Sequence, residues 1–241
     1  MRQHNIPCLA WFEDALGYYG VPTVVFDLFL LVPDIDEAAL LLEENGWALP
    51  PERRQDPYHF LNAPPHPVCR RLAPPGNVND APCRVVSPPP LPSPLPPGPT
   101  VTVLLPAADW SFTTEQLVQF SRDGFMPPLV ELTDSLIHAL LESPDETRYQ
   151  MHLVIQVCYL YEHVAELKEK SFADRLRFEH RQFHLDGVAG MAMGTRPFIQ
   201  HERKIWESIK RGEYKLQDCS AAYSDSNRVL FEGILAHLKT E

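Results

Sequence analysis

The stretch Gly20-Val21-Pro22-Thr23-Val24-Val25-Phe26-Asp27-Leu28-Phe29-Leu30-Leu31-Val32, followed by Pro33-Asp34-Ile35-Asp36-Glu37, decides how the chain folds. Val24, Phe26, Leu28, Leu30 and Val32 alternate with Val25, Asp27, Phe29 and Leu31, the period of a strand. Both faces are largely apolar, so Val21 to Val32 is expected to form a central strand covered on both sides. After Pro33, an acidic first turn predicts a helix to about Asn45, stopped by Gly46. Upstream, apolar or aromatic residues at 8, 9, 11, 12, 15, 16 and 19 repeat with helical spacing over Ile6 to Tyr19.

Proline dominates the middle of the chain. Of 25 prolines, 18 lie between Pro50 and Pro106, and Ser87 to Pro99 holds eight in thirteen residues. Such a run cannot donate a regular ladder of backbone hydrogen bonds, which predicts an extended, polyproline-like loop. The strand-like run Thr100 to Leu105 comes directly after it, so the loop is read as joining strands of one sheet. A second reading makes it a ligand for a proline-binding protein partner.

From Met126 onward the pattern is helical. Ser143-Pro144-Asp145-Glu146 reads as a capping box that starts a helix carrying Leu153, Val157, Leu160, Tyr161, Val164 and Leu167 on one stripe. Further helices are expected near 127 to 142, 172 to 186, 197 to 211 and 227 to 239. Strands in the first half and helices in the second define an α+β fold.

With 44% apolar and 22% charged residues, the 241-residue chain can bury a sizeable core. A net charge of −11 argues against a broad surface for nucleic acid or anionic lipid, both of which need clustered cations. Arg196, Arg203, Lys204, Lys210, Arg211 and Lys215, set against Glu202, Glu207 and Glu213, read as a solvated helix face. The cysteines are odd in number and scattered, as expected of reduced thiols. No leader pattern or membrane-length apolar run is visible, so a cytoplasmic location is expected.

A helix, a tight turn at Gly20 and a buried strand bearing an acid is the order in which nucleotidyltransferase-like domains open. Those domains read approximately as Gly-Ser, a short helix, a Gly-Val-Pro-like turn, then Asp-x-Asp on a strand followed by Val-Pro-Asp. Ala15-Leu16-Gly17-Tyr18-Tyr19-Gly20-Val21-Pro22 and Phe26-Asp27-Leu28-Phe29-Leu30-Leu31-Val32-Pro33-Asp34 resemble that register. The chain resembles fungal proteins of this superfamily, which carry a run like Arg177-Phe178-Glu179-His180-Arg181-Gln182-Phe183-His184-Leu185-Asp186. The resemblance implies a nucleotidyltransferase-like mixed sheet in residues 1–110, containing the proline-rich loop at about 87–99. A helical region, 111–241, is expected to pack on it.

The chemistry of that motif shows what is missing. Carboxylates at i and i+2 of a strand stand on one face, about 7 Å apart, and can hold the divalent ions that bind nucleotide phosphates. Here Asp27 is kept, but Phe29 stands in the second place. Thr100 to Leu105 supplies no third acid, and Asp109 lies beyond it. Phe12 and Glu13 match Gly-Ser, where a phenyl ring blocks close approach to phosphate and a carboxylate repels it. The expectation is a catalytically degenerate scaffold with a binding or regulatory role, not an enzyme and without a cofactor, whose ligand would sit at Asp27 with Phe29 and Trp110 as an apolar wall. Two alternatives stand beside it. One is a diverged nucleotidyl- or group-transferase of fungal metabolism using Asp27, Glu13, Asp109 and Mg²⁺; the other is an adaptor that presents the proline-rich loop. Asp27 has a plainer reading too, as a structural carboxylate bonded to backbone or to an arginine.

His180 and His184, four residues apart, invite a zinc reading, but Arg181 places a cation beside any ion there. The expectation is instead a hydrogen-bond network with Glu179, Arg181 and Asp186. Cys158 falls in the apolar stripe and reads as a small buried hydrophobe. Gly187, Gly190 and Gly194 come after no strand, so no dinucleotide or phosphate loop is expected.

Overall fold

The run Leu28 to Val32 does become the centre of a sheet, and its neighbours are set by the same apolar logic. The computed structural model describes residues 6–25, 27–50, 68–75, 84–85, 101–145, 147–216 and 225–238, so the proline-rich stretch 87–99 lies outside the described residues. Its first three strands are β1 (Leu9–Trp11), β2 (Val24–Val25) and β3 (Leu28–Val32); β4 (Arg70–Leu72), β5 (Arg84–Val85) and β6 (Thr102–Pro106) complete the set. The main sheet has the order β1-β3-β6-β4. β3 pairs antiparallel with β1 and parallel with β6, while β4 runs antiparallel to β6 at the edge. The mixed sheet and the helices after it make the fold α+β, as the sequence pattern indicates.

Two details differ from the sequence expectation. The helical spacing of Ile6 to Tyr19 holds only for α1 (Glu13–Tyr18), because Cys8 to Phe12 is one unbroken buried run whose middle forms β1. A short, wholly apolar run satisfies either period, and here pairing with β3 decides it. The expected strand Val21 to Val32 is also two: β2 pairs with β5 in a separate ribbon, and β3 begins only after Asp27. Asp27 accepts a hydrogen bond from the backbone N–H of Val101 (3.2 Å), and a side chain bonded to backbone competes with the ladder at that point.

The face of the sheet bearing Leu30, Val32, Leu72 and Leu104 packs on Ala38, Ala39 and Leu42 of α2 (Ile35–Glu44). That helix starts where its sequence says it should, since Asp34 accepts from the N–H groups of Asp36 (2.9 Å) and Glu37 (3.0 Å). Gly46, at φ 87°, ends it in a conformation that glycine reaches without a Cβ clash. The other face carries Phe29, Leu31, Val103 and Leu105, in register with Leu9 and Trp11.

The chain divides into two compact units, Met1–Leu132 and Thr133–Glu241. α3 (Thr114–Asp123), a helix the periodicity did not signal, belongs to the first; Thr113 and Gln116 close a capping box at its start. α4 (Leu129–Glu142) crosses the division. The second unit continues with α5 (Arg148–His163), α6 (Phe172–Arg175), α7 (Arg181–Val188), α8 (Arg196–Lys210) and α9 (Asp225–Leu238). The start of α5 is a correction: Thr147, not Ser143, is its cap, accepting from Gln150 N–H at 3.0 Å. Ser143 instead donates its hydroxyl to the Leu140 carbonyl at the end of α4 (2.7 Å). Leu153, Val157, Leu160, Tyr161, Val164 and Leu167 are buried as expected, but the helix expected to carry them all ends at His163, with Val164 as its C-cap and Leu167 in the 3₁₀ turn Ala165–Lys168. The single helix expected over 172–186 is broken into α6, a 3₁₀ turn (Phe178–His180) and α7. Among the described residues, no helix is long and apolar enough to cross a membrane.

Candidate functional site

Asp27 lies at the start of β3 and is 2% exposed. A buried carboxylate needs compensation. Arg71 supplies it from β4, with a guanidinium nitrogen 2.8 Å from the carboxylate. The sheet register explains the reach. Arg71 pairs with Val103 and Val103 with Phe29, so the arginine stands on the same face as Phe29. Asp27 is therefore bonded both to backbone and to an arginine, the plainer of its two readings.

The other expected site residues do not join it in a metal-binding group. Glu13 sits partly buried in the first turn of α1, and Asp109 is exposed in the 3₁₀ turn Ala107–Trp110. Among the described residues, these acids and Asp27 do not converge on a point where an ion could be held. Phe29 and Trp110 do come together, but around a third ring. Phe12 is fully buried, with its centroid 5.1 Å from Phe29 and 5.2 Å from Trp110, both edge to face. Phe29 and Trp110 are themselves buried, so the wall expected to meet a ligand meets Phe12 instead. Trp11 extends the cluster to Trp110 (5.0 Å) and Phe112 (5.7 Å).

The backbone under Phe12 is unusual. It precedes α1 at φ 49°, ψ −119°, a region that favours glycine and strains a residue with a Cβ. A phenylalanine held there means that its ring packing outweighs the strain.

The polar groups of the interior concentrate in the second unit. Asp134 of α4 accepts from His180 Nδ1 (2.8 Å) and from the backbone N–H of Arg177 (3.2 Å). His184 Nδ1 shares a 2.8 Å hydrogen bond with Tyr161 of α5. The two histidines thus have separate partners on separate helices, and the expected network with Glu179 and Arg181 is not what holds them. Arg181 donates to the carbonyls of Leu176 (3.1 Å) and Asp174 (2.9 Å). Burial brings His184 down to about 4, so the ring is neutral at ordinary pH. Cys158 is half-buried rather than buried. Together with Tyr161, Lys168, Gly187 and Val188 it borders a groove of about 410 Å³, and burial together with Glu162 pushes its thiol above the ordinary range, which makes it a poor nucleophile.

A further group was not anticipated. Gln182 donates to Asp186 (2.7 Å) and accepts from Tyr214 (3.2 Å), an orienting chain that fixes one carboxylate of α7. Glu202 of α8 faces that carboxylate and is 1% exposed, so the solvated face expected for residues 196 to 215 does not include it. Burial first, then the charge and proton-sharing contact of Asp186, push Glu202 up to about 9. With His201 they form the one group, among the described residues, whose ligand atoms converge, all within 4.8 Å of one another. The sequence did carry a signal for it. Phe198, Ile199, Trp206 and Ile209 mark the buried face of α8, and Glu202 falls on that stripe. An acid inside an apolar stripe needs a partner, and counting charges along the segment hid it.

No family model matches the chain, and neither the curated proteins nor the solved structures contain a match.

Proposed function

We propose that this chain is a catalytically degenerate nucleotidyltransferase-like protein whose remaining role is binding or regulation. The observation that carries the reading is the Asp27–Arg71 pair. Two-ion phosphoryl chemistry needs several carboxylate oxygens facing solvent and the nucleotide. Here the one acid left at the motif position is buried, and a guanidinium supplies the positive charge that an ion would have brought. Support for the ancestry comes from Phe12. It stands where the motif has glycine, and its backbone keeps a glycine-like conformation at the start of the helix.

Calorimetric titration with each nucleoside triphosphate plus Mg²⁺ or Mn²⁺ tests the proposal. The expected result is no metal-dependent binding of nucleotide in the wild type or in Asp27→Ala, any heat of the metal alone being subtracted as a blank. Metal-dependent nucleotide binding that Asp27→Ala abolishes would revive the transferase alternative with Asp27, Glu13 and Asp109. The adaptor alternative turns on residues 87–99, outside the described residues, and retention of a captured partner after their deletion would end it.

A further inference from the structure

We propose that Asp186, Glu202 and His201 form a binding site for a divalent transition-metal ion of the zinc class in the helical unit. Their ligand atoms lie within 4.8 Å of one another, two from buried carboxylates and one from an imidazole. Glu202 is the independent pointer. It is 1% exposed, and neither of its carboxylate oxygens meets an N–H or hydroxyl donor; what it faces is the carboxyl group of Asp186. The ring nitrogen Nε2 of His201 stands 3.8 Å from one of them, beyond hydrogen-bond range. The neighbouring Arg203 turns its guanidinium to the carbonyls of Leu141 and Ser143 and to Asp145. Two facing acids are costly to bury, and a dication that takes the place of the proton between them compensates both carboxylates at once.

The geometry suits such an ion. Ligand bonds of about 2.1 Å put two donors on a tetrahedral centre about 3.4 Å apart, so side-chain rotations of about an ångström close the group. Asp186 is already oriented by Gln182, which Tyr214 holds in turn, the kind of outer support that metal carboxylates have. His201 has a side chain 56% exposed, which leaves a path to solvent and room for water to complete the coordination. A mixed oxygen and imidazole set favours zinc-class ions over Mg²⁺, which demands octahedral oxygen ligands.

The test is equilibrium dialysis of the full chain against Zn²⁺, with Tm measured in parallel and Co²⁺ as an optical probe. One Zn²⁺ per chain is expected to bind and raise Tm. His201→Ala, at an exposed position, should weaken binding at least tenfold without lowering the metal-free Tm. Glu202→Gln keeps the shape and can donate to Asp186, so it should fold and lose binding. Co²⁺ should give visible bands without a sulfur charge-transfer band. The proposal is overturned by equal Zn²⁺ affinity in wild type and His201→Ala, or by a thiolate band placing the ion on the cysteines. Absence of saturable binding at pH 7 to 8.5 would also overturn it, and would leave a proton shared between the two acids as the sole compensation.

Discussion

Truncating Phe12 to alanine and to glycine should reverse the usual order of those two residues. The ring is fully buried and meets Trp11, Phe29 and Trp110 edge-on or tilted, so losing it costs about 3–5 kcal/mol in either variant. The variants then differ only in backbone. At φ 49°, ψ −119° an alanine keeps a strain of about 1–3 kcal/mol that a glycine does not have. At ordinary positions glycine is instead the less stable by about 0.5–1 kcal/mol, through its greater freedom when unfolded. Phe12→Gly should therefore unfold at higher urea than Phe12→Ala, with a central expectation of about 1 kcal/mol and a ceiling of about 2.5 kcal/mol, at equal m values. Because the lost ring is common to both, the comparison does not depend on how well the cavity collapses. If Phe12→Ala proves as stable as Phe12→Gly, the residue is not held in a glycine-like conformation and the link to the motif's glycine fails.

Buried charge has consequences of its own. Arg71→Met leaves Asp27 buried without its guanidinium partner and should cost about 3–5 kcal/mol; adding Asp27→Asn should recover much of it, and a double variant no more stable than Arg71→Met would refute the pairing. His184, held to about 4, is neutral in the fold, whereas an unfolded histidine takes up a proton near pH 6.5. Stability from this group is thus complete above pH 6.5 and falls as pH drops toward 4, by up to about 1.4 kcal/mol per pH unit. The His184 ring signals in NMR should stay flat from pH 8 to 5.5; a midpoint near 6.5 would contradict the burial account.

Where one physical term dominates, the sequence is enough. α2 is bounded by an N-cap acid and a positive-φ glycine, and β3 and β6 are apolar runs in a sheet interior. Cys8 to Phe12 misleads because a run buried on every side has no period, and only its partner strand chooses between helix and strand. Ser143 matches a capping signature that Thr147 fulfils four residues later, since a cap depends on backbone geometry and not on side-chain type alone. Asp27 and the phenyl ring two residues after it are visible in the sequence. Arg71 is not, because β4 comes 44 positions after Asp27 and no local pattern brings them together. Glu202 is obscured by its exposed charged neighbours, although the stripe around it is legible.

The claim on which the functional reading rests is that Asp27 gathers no metal ion. Titrating Mn²⁺ into the labelled protein while monitoring amide signals measures this directly, since a bound paramagnetic ion broadens its immediate neighbours. Asp27, Leu28 and Val101 are expected to keep their intensity throughout the titration. Selective broadening of those three amides, removed by Asp27→Asn, would contradict it.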